Sequence, residues 1–379
     1  MLGVLGFPLY FLRNRGRAAA LLCIVVLAVM EVSTVALLTG SLLGNVWVTM
    51  VAPLQYFTEV VAAGPEVPPS VASAIAARPS TLLLLPMLPE TVRVNTLLGP
   101  GSANVFAVPA SFIPWFLGHT GERLIQGRLP VAGADQIALP ASVMASRGLH
   151  LGDMIGQDVD PEEWLPGEWQ VVGVLGGALS AGVVPYDTMR AFLPLSDVPG
   201  VASYAVFARP GGTAALTAYL DTLPLSEVRV YSEAAEQGQY QGNVRLLNWL
   251  VWSINLVTVG VLSVAMGLLN NLYYRQRMEE YGILAALGYS HGLLARRVLA
   301  EVAIVTVLSW AIGLAFTLAL TASLDAWLFQ PHGITLPSLD ARDALFTVPI
   351  PSLIAGFTLA TVLRRLGRLD PVAVVERRD

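Results

Sequence analysis

The sequence predicts an α-helical membrane protein with four transmembrane helices, one followed at a distance by three, and a mixed α/β extracytoplasmic domain inserted after the first. Four long apolar runs lie at 18–45, 246–272, 298–320 and 345–363. At ~1.5 Å per helical residue each is long enough to cross a hydrocarbon core of ~30 Å. The stretch between the first two, 46–245, has the mixed polarity of a folded domain. Composition agrees, since 55% of residues are hydrophobic and 13% charged, displaced from globular averages in the membrane direction.

Residues 1–17 read MLGVLGFPLYFLRNRGR, apolar with a proline and then basic, which suits a helix lying on the inner leaflet. Arg13, Arg15 and Arg17 before the first run place the amino end in the cytoplasm and the following domain outside. That run is longer than the apolar core of a cleavable signal, and Cys23 follows the bulky Leu22, so a retained anchor is expected. Cys23 is the only cysteine, which rules out an intrachain disulfide; a packing role is expected for it.

The 46–245 domain continues helically through Tyr56 and breaks at the proline-rich Gly64 to Pro69. Glu168 to Leu175 reads as a strand, Ala141 to Arg147 as a short helix closed by Gly148, and Ser232 to Gln241 as a polar stalk. Arg275, Arg277, Arg296 and Arg297 make 273–297 a cytoplasmic loop. The loop 321–344 carries Asp325, Asp340 and Asp343 and faces out, and the tail 364–379 is again basic and inside. An inner-membrane protein with both termini in the cytoplasm follows.

The most specific segment starts at Arg277 and reads RMEEYGILAALGYSHGLLARRVLAE. Together with the tail GRLDPVAV from Gly367, and with LIQGRLP, IALPASVMASRGLHLGD and VVGVL in the external domain, it resembles the MacB/FtsX-like ABC transporter permeases. The resemblance implies a MacB-like periplasmic core domain outside, and a coupling helix that seats on a separate ABC ATPase dimer. It further implies two copies of this chain facing each other, and transmission of ATP hydrolysis to the external domain. Glu279, Glu280, Tyr281, Gly282, Ile283, Leu284, Leu287 and Gly288 would form the ATPase-coupling surface. The carboxylates stand at the helix entrance, Ile283, Leu284 and Leu287 make an apolar stripe, and Gly288 permits the chain to turn.

Glu31 lies inside the first run, where an ionisable group costs at least ~2.5 kcal/mol unless it meets a cavity or partner. A substrate contact, a cation site and an inter-helix hydrogen bond are open roles, with Asn255 as a potential partner and helix packing as the plain alternative. Met30 beside it reads as packing. Haem exporters occur among relatives of this family, and haem as substrate would give Met30 and Glu31 a ligand role.

No lysine occurs among the 379 residues, so they contain no P-loop, which needs that ammonium at the phosphates. ATP and Mg²⁺ are therefore assigned to the partner ATPase, and no cofactor or metal to these residues. His119, His150, His291 and His332 are scattered without metal spacing. The acidic Asp158, Asp160, Glu162 and Glu163 do not fit a calcium loop and read as solvated. GALSAG around Ser180 reads as a turn, and no basic aromatic patch suggests nucleic acid. Expected functions are export or extraction of a hydrophobic or amphipathic substrate from the outer leaflet or the extracytoplasmic space, or FtsX-like signalling to an external hydrolase. A periplasmic adaptor, that hydrolase and membrane lipid are the further partners the resemblance allows.

Overall fold

The computed structural model describes residues 15–96, 99–193 and 200–329, together with 345, 347–349, 351–353, 355–356 and 360. Residues 1–14 of the expected amphipathic helix, the outer loop from 330 to 344, most of the fourth run and the 364–379 tail lie outside the described residues, while 15–17 continue into the first long helix. The rest falls into two units. One holds the described residues up to Gly40, Leu246–Ser323 and those from 345 on; the other holds those between Ser41 and Arg245, with 324–329.

Helix α1 spans Arg15–Val46, and its residues up to Gly40 belong to the first unit. Val25, Ala28, Val29 and Val32 recur at helical spacing and are buried with Val259, Trp310 and Leu314 packed around them. At Gly313 the helices approach so closely that a Cβ would meet the Val29 Cβ at 2.9 Å, so only glycine fits. The Trp310 indole N–H donates to the Thr347 hydroxyl at 2.8 Å, tying the last described segment to the bundle. Cys23 is exposed, against the expectation of packing, because Cys23 and Leu27 sit on the face of α1 opposite the valine stripe.

Among the described residues, Glu233–Leu262 and Ala303–Trp327 are helical stretches long and apolar enough to cross a membrane, and Leu22–Val35 is a shorter apolar helix.

The α/β unit begins with two irregular turns, a π-helix at Trp47–Val51 and a 3-10 helix at Ala52–Gln55. There follow β1 Thr58–Ala62, α2 Pro69–Ala76, β2 Thr81–Pro86, β3 Leu88–Thr96 and β4 Gly99–Val108. Next come α3 Ile113–Thr120, β5 Arg123–Gly127, β6 Gln136–Pro140, α4 Ala141–Arg147, β7 Met154–Ile155, β8 Trp169–Gly176 and β9 Gly182–Pro185. The unit closes with α5 Tyr186–Phe192, β10 Ser203–Ala208, α6 Thr213–Leu220 and β11 Val228–Tyr231.

These strands build two sheets. The smaller has the order β11-β1-β10-β2, all antiparallel. The larger runs β3-β4-β9-β6-β8-β5, with β7 also on β8, and is parallel at β4–β9 and β6–β8. One face of the smaller sheet is closed by α2 and α6, through Val60, Val206 and Val228 against Ile75, Leu216 and Leu220. The other shares an aromatic core with the larger sheet, where Phe57, Phe106, Phe116 and Phe207 meet at ring distances of 5.6 to 6.3 Å. Helices α4 and α5 cover the far face of the larger sheet with Val143, Met144 and Met189.

Helix α4 ends at Arg147, and Gly148 takes a φ of +66°, the left-handed cap that glycine favours. The Glu168 to Leu175 stretch becomes β8, buried at Trp169, Val171 and Leu175.

The acidic stretch 158–163 is solvated at Asp158 and Glu162, as expected, but not at Glu163. Glu163 is buried and pairs with the Arg147 guanidinium, while its other oxygen accepts the backbone N–H of Arg93 at 2.7 Å and of Trp164 at 2.8 Å. Asp160 lies 3.9 Å from Arg147, and Glu162 pairs with Arg93. Two arginines far away in sequence hold this loop.

Candidate functional site

Helix α7 runs unbroken from Glu233 to Ala286, and α8 from His291 to Leu324. Hydropathy drops near Leu272, but the helix does not end there, because the polar segment that follows keeps good helix formers and meets no proline or glycine before Gly282. The chain turns at 287–290 only. The Leu287 N–H still bonds the Ile283 carbonyl at 3.0 Å, Gly288 takes a φ of +91°, and the Leu293 N–H closes onto the Ser290 carbonyl at 3.0 Å to start α8.

This elbow leaves apolar side chains uncovered. Ile283, Leu287, Tyr289 and Leu293 are exposed, Leu287 to 70%. Glu279, Glu280, Tyr281, Gly282 and Leu284 lie on the last turns of α7, and their side chains lie outside the described residues. An exposed apolar row beside a tight turn is the kind of surface that seats in a groove of another protein.

On α1, Glu31 continues the row of Cys23 and Leu27 at four-residue spacing. It is half-buried, as is Met30. The Asn255 amide oxygen is buried and accepts no hydrogen bond, so the potential pairing with Glu31 is not made through that atom. The Ser33 hydroxyl is likewise buried without a partner.

Where α1 enters the α/β unit, two side chains hold its end. The Tyr240 hydroxyl on α7 donates to the Leu43 carbonyl at 3.1 Å, and its ring packs edge-on against Trp47 at 5.1 Å. From β4, the Asn104 side-chain amide donates to the Thr49 carbonyl at 2.7 Å. Neither residue stands out in the sequence; Pro53, in the middle of a helix-like run, is the one local signal that this exit is irregular.

Three further carboxyls of the α/β unit are shifted. Glu59 on β1 is pushed up to about 6 by burial, a rise that the Ser203 hydroxyl at 3.3 Å partly offsets and the Glu236 carboxylate adds to. Burial also raises Glu122, partly offset by the backbone N–H groups of Ser180 and Leu179, and raises Glu90. Glu122 accepts the Ser180 N–H at 2.6 Å, and this clasp holds Ser180 at a φ of +51°. The GALSAG segment is thus a strained turn, with its hydroxyl 3.0 Å from that of Ser142. Among the described residues no group of three or more His, Cys, Asp or Glu side chains could hold a metal ion. His119 stacks on Trp115, and His150 lies beside Asp153.

Residues 252–371 match the family described as FtsX-like permease C-terminal, which takes in the later part of α7, the elbow and α8. Two solved structures align with part of the chain. The periplasmic region of MacB from Actinobacillus actinomycetemcomitans is 14% identical, with a TM-score of 0.31 over 52% of this chain and 96% of that one. The extracellular domain of the noncanonic ABC-type transporter YknZ from Gram-positive bacteria is 12% identical, with a TM-score of 0.28 over 46% of this chain and 98% of that one. No curated protein matches the chain at a significant level.

Proposed function

We propose that this chain, which carries an FtsX-like permease C-terminal domain over residues 252–371, is the membrane subunit of an ABC-type system driven by a separate ATPase. The observation that carries this is the elbow inside the matched segment. It is a glycine turn between two long helices, flanked by the exposed Ile283, Leu287 and Leu293. Docked on an ATPase, such an elbow moves when the nucleotide sites close, and the helices that leave it are long enough to carry the displacement across a bilayer. The same reading puts four spans in the inner membrane, both termini in the cytoplasm and the α/β unit outside. The stroke then serves to export or extract a hydrophobic or amphipathic substrate.

The face of α1 bearing Glu31 supports a second copy as the facing partner, because a carboxyl directed at acyl chains is costly and one directed at a shared cavity is not.

Turnover of ATP with Mg²⁺ tests the assignment. The purified chain alone should show none, and hydrolysis should appear on reconstitution with its cognate ATPase and respond to Glu280→Arg. ATP turnover by the isolated chain, or an ATPase that neither binds it nor changes rate in its presence, refutes the reading.

A further inference from the structure

We infer that Trp249 and Trp252 are lipid-binding residues, and that they seat the outer end of the apolar part of α7 in the ester-carbonyl layer of a phospholipid bilayer.

The two side chains stand one turn apart on α7 and are exposed to 67% and 57%. An indole is a large apolar body with a single donor, and packing against protein normally matches that donor. Two other tryptophans of this chain obey the rule. The Trp169 N–H donates to the Pro166 carbonyl at 2.6 Å, and the Trp310 N–H to the Thr347 hydroxyl at 2.8 Å. Trp249 and Trp252 donate to no described residue.

Exposure also says what kind of partner surrounds them. Every residue from Arg245 to Leu250 is exposed, which is more than a full turn, so no described part of the chain covers any side of the helix there. A protein partner covers one side of such a rod, whereas a solvent envelops it. That solvent changes along the rod, because Gln241, Asn243 and Arg245 precede the tryptophans and the exposed Leu256, Val257 and Val261 follow them. At the boundary between water and hydrocarbon the acceptors within reach of an indole are lipid carbonyls, and tryptophan concentrates there for that reason.

Spacing along α7 is an independent observation. The next aromatic residues on the helix are Tyr273 and Tyr274, with Arg275 directly after them. At ~1.5 Å per residue Trp252 and Tyr273 lie ~32 Å apart on one unbroken helix, against a hydrocarbon core of ~30 Å. Aromatic residues at that separation match the two faces of one bilayer. The stretch from Glu233 to Trp249, ~24 Å long by the same rise, then stands clear of the hydrocarbon. This placement rests on the reading of α7 as a membrane span.

Depth can be measured by electron paramagnetic resonance on the full chain in phosphatidylcholine nanodiscs. Single spin-labelled cysteines at Asn243, Leu247, Leu250, Val257 and Val261, in a Cys23→Ser background, are compared for access to oxygen and to a water-soluble nickel complex. Position 243 should favour nickel, 257 and 261 should favour oxygen, and the crossover should fall within one turn of the tryptophans. Trp249→Leu with Trp252→Leu extends the apolar run to Leu246, and should move the crossover by ~5 Å, one turn, toward Arg245. Nickel access at all five positions would overturn the membrane reading of α7 and the anchoring with it. If 257 and 261 favour oxygen, a crossover more than a turn from the tryptophans, or one that the double variant leaves in place, overturns the anchoring alone. Protection of 247 and 250 from both reagents would put a protein partner where lipid is proposed, and overturns it as well.

Discussion

Glu59 shows how a single side chain can set a pH dependence. A carboxyl whose folded pKa lies above its unfolded value stabilises the fold fully below the unfolded value and loses that contribution as pH rises through the folded one. For Glu59 this window runs from 4.5 to about 6. Glu59→Gln should then stabilise the α/β unit by ~1 kcal/mol at pH 7.5, discounted from the full shift for residual solvent access. The gain should vanish below pH ~4.5. Thermal unfolding of the full chain at both pH values reads this; a gain of equal size at both would remove Glu59 as its source. Nothing in the sequence around Glu59 announces the effect, because its partners Ser203 and Glu236 come from β10 and α7. The same distance hides the contacts of Glu163, which pairs with the Arg147 guanidinium and accepts the Arg93 backbone N–H. By contrast, Gly148 and Gly288 are readable in place, since a helix end and a left-handed residue need only their own neighbours.

At the scale of elements, the elbow depends on a backbone conformation more than on any contact. A Cβ at Gly288 would meet nothing within 4 Å, yet its φ of +91° is one that side chains with a branched Cβ avoid. Gly288→Val should leave membrane insertion intact and lower association with the ATPase by ~10-fold, through ~1–2 kcal/mol of strain at the turn. A pull-down of wild-type strength would show that the turn is not what the ATPase reads. The local rules that reveal α4 and β8 from sequence fail at the exit of α1. There the apolar run continues through the change of winding, and only Pro53 breaks the pattern.

For the whole molecule, the division into a helical unit and an α/β unit was legible because hydropathy changes near residues 46 and 245. The sheet order was not. The parallel pairs β4–β9 and β6–β8 join segments separated by long crossovers, and no local pattern records which strand lies beside which. The proposed pairing of two copies makes its own claim on Glu31. If the carboxyl works by hydrogen bonding across a shared cavity, Glu31→Gln should keep coupled ATP turnover within ~3-fold while Glu31→Leu lowers it by ~10-fold. Equal losses would instead require the charge itself, and unchanged turnover in both would end its candidacy.

Helix α7 has 54 residues and so extends for ~81 Å, against a hydrocarbon core of ~30 Å. More than half of it must lie in water or among headgroups in any bilayer. Because those flanking stretches are already helical, a thicker or thinner membrane only shifts the wetting boundary along an existing rod, and no turn has to melt to absorb the mismatch. Lipid thickness then becomes a variable this helix can absorb by changing tilt and depth.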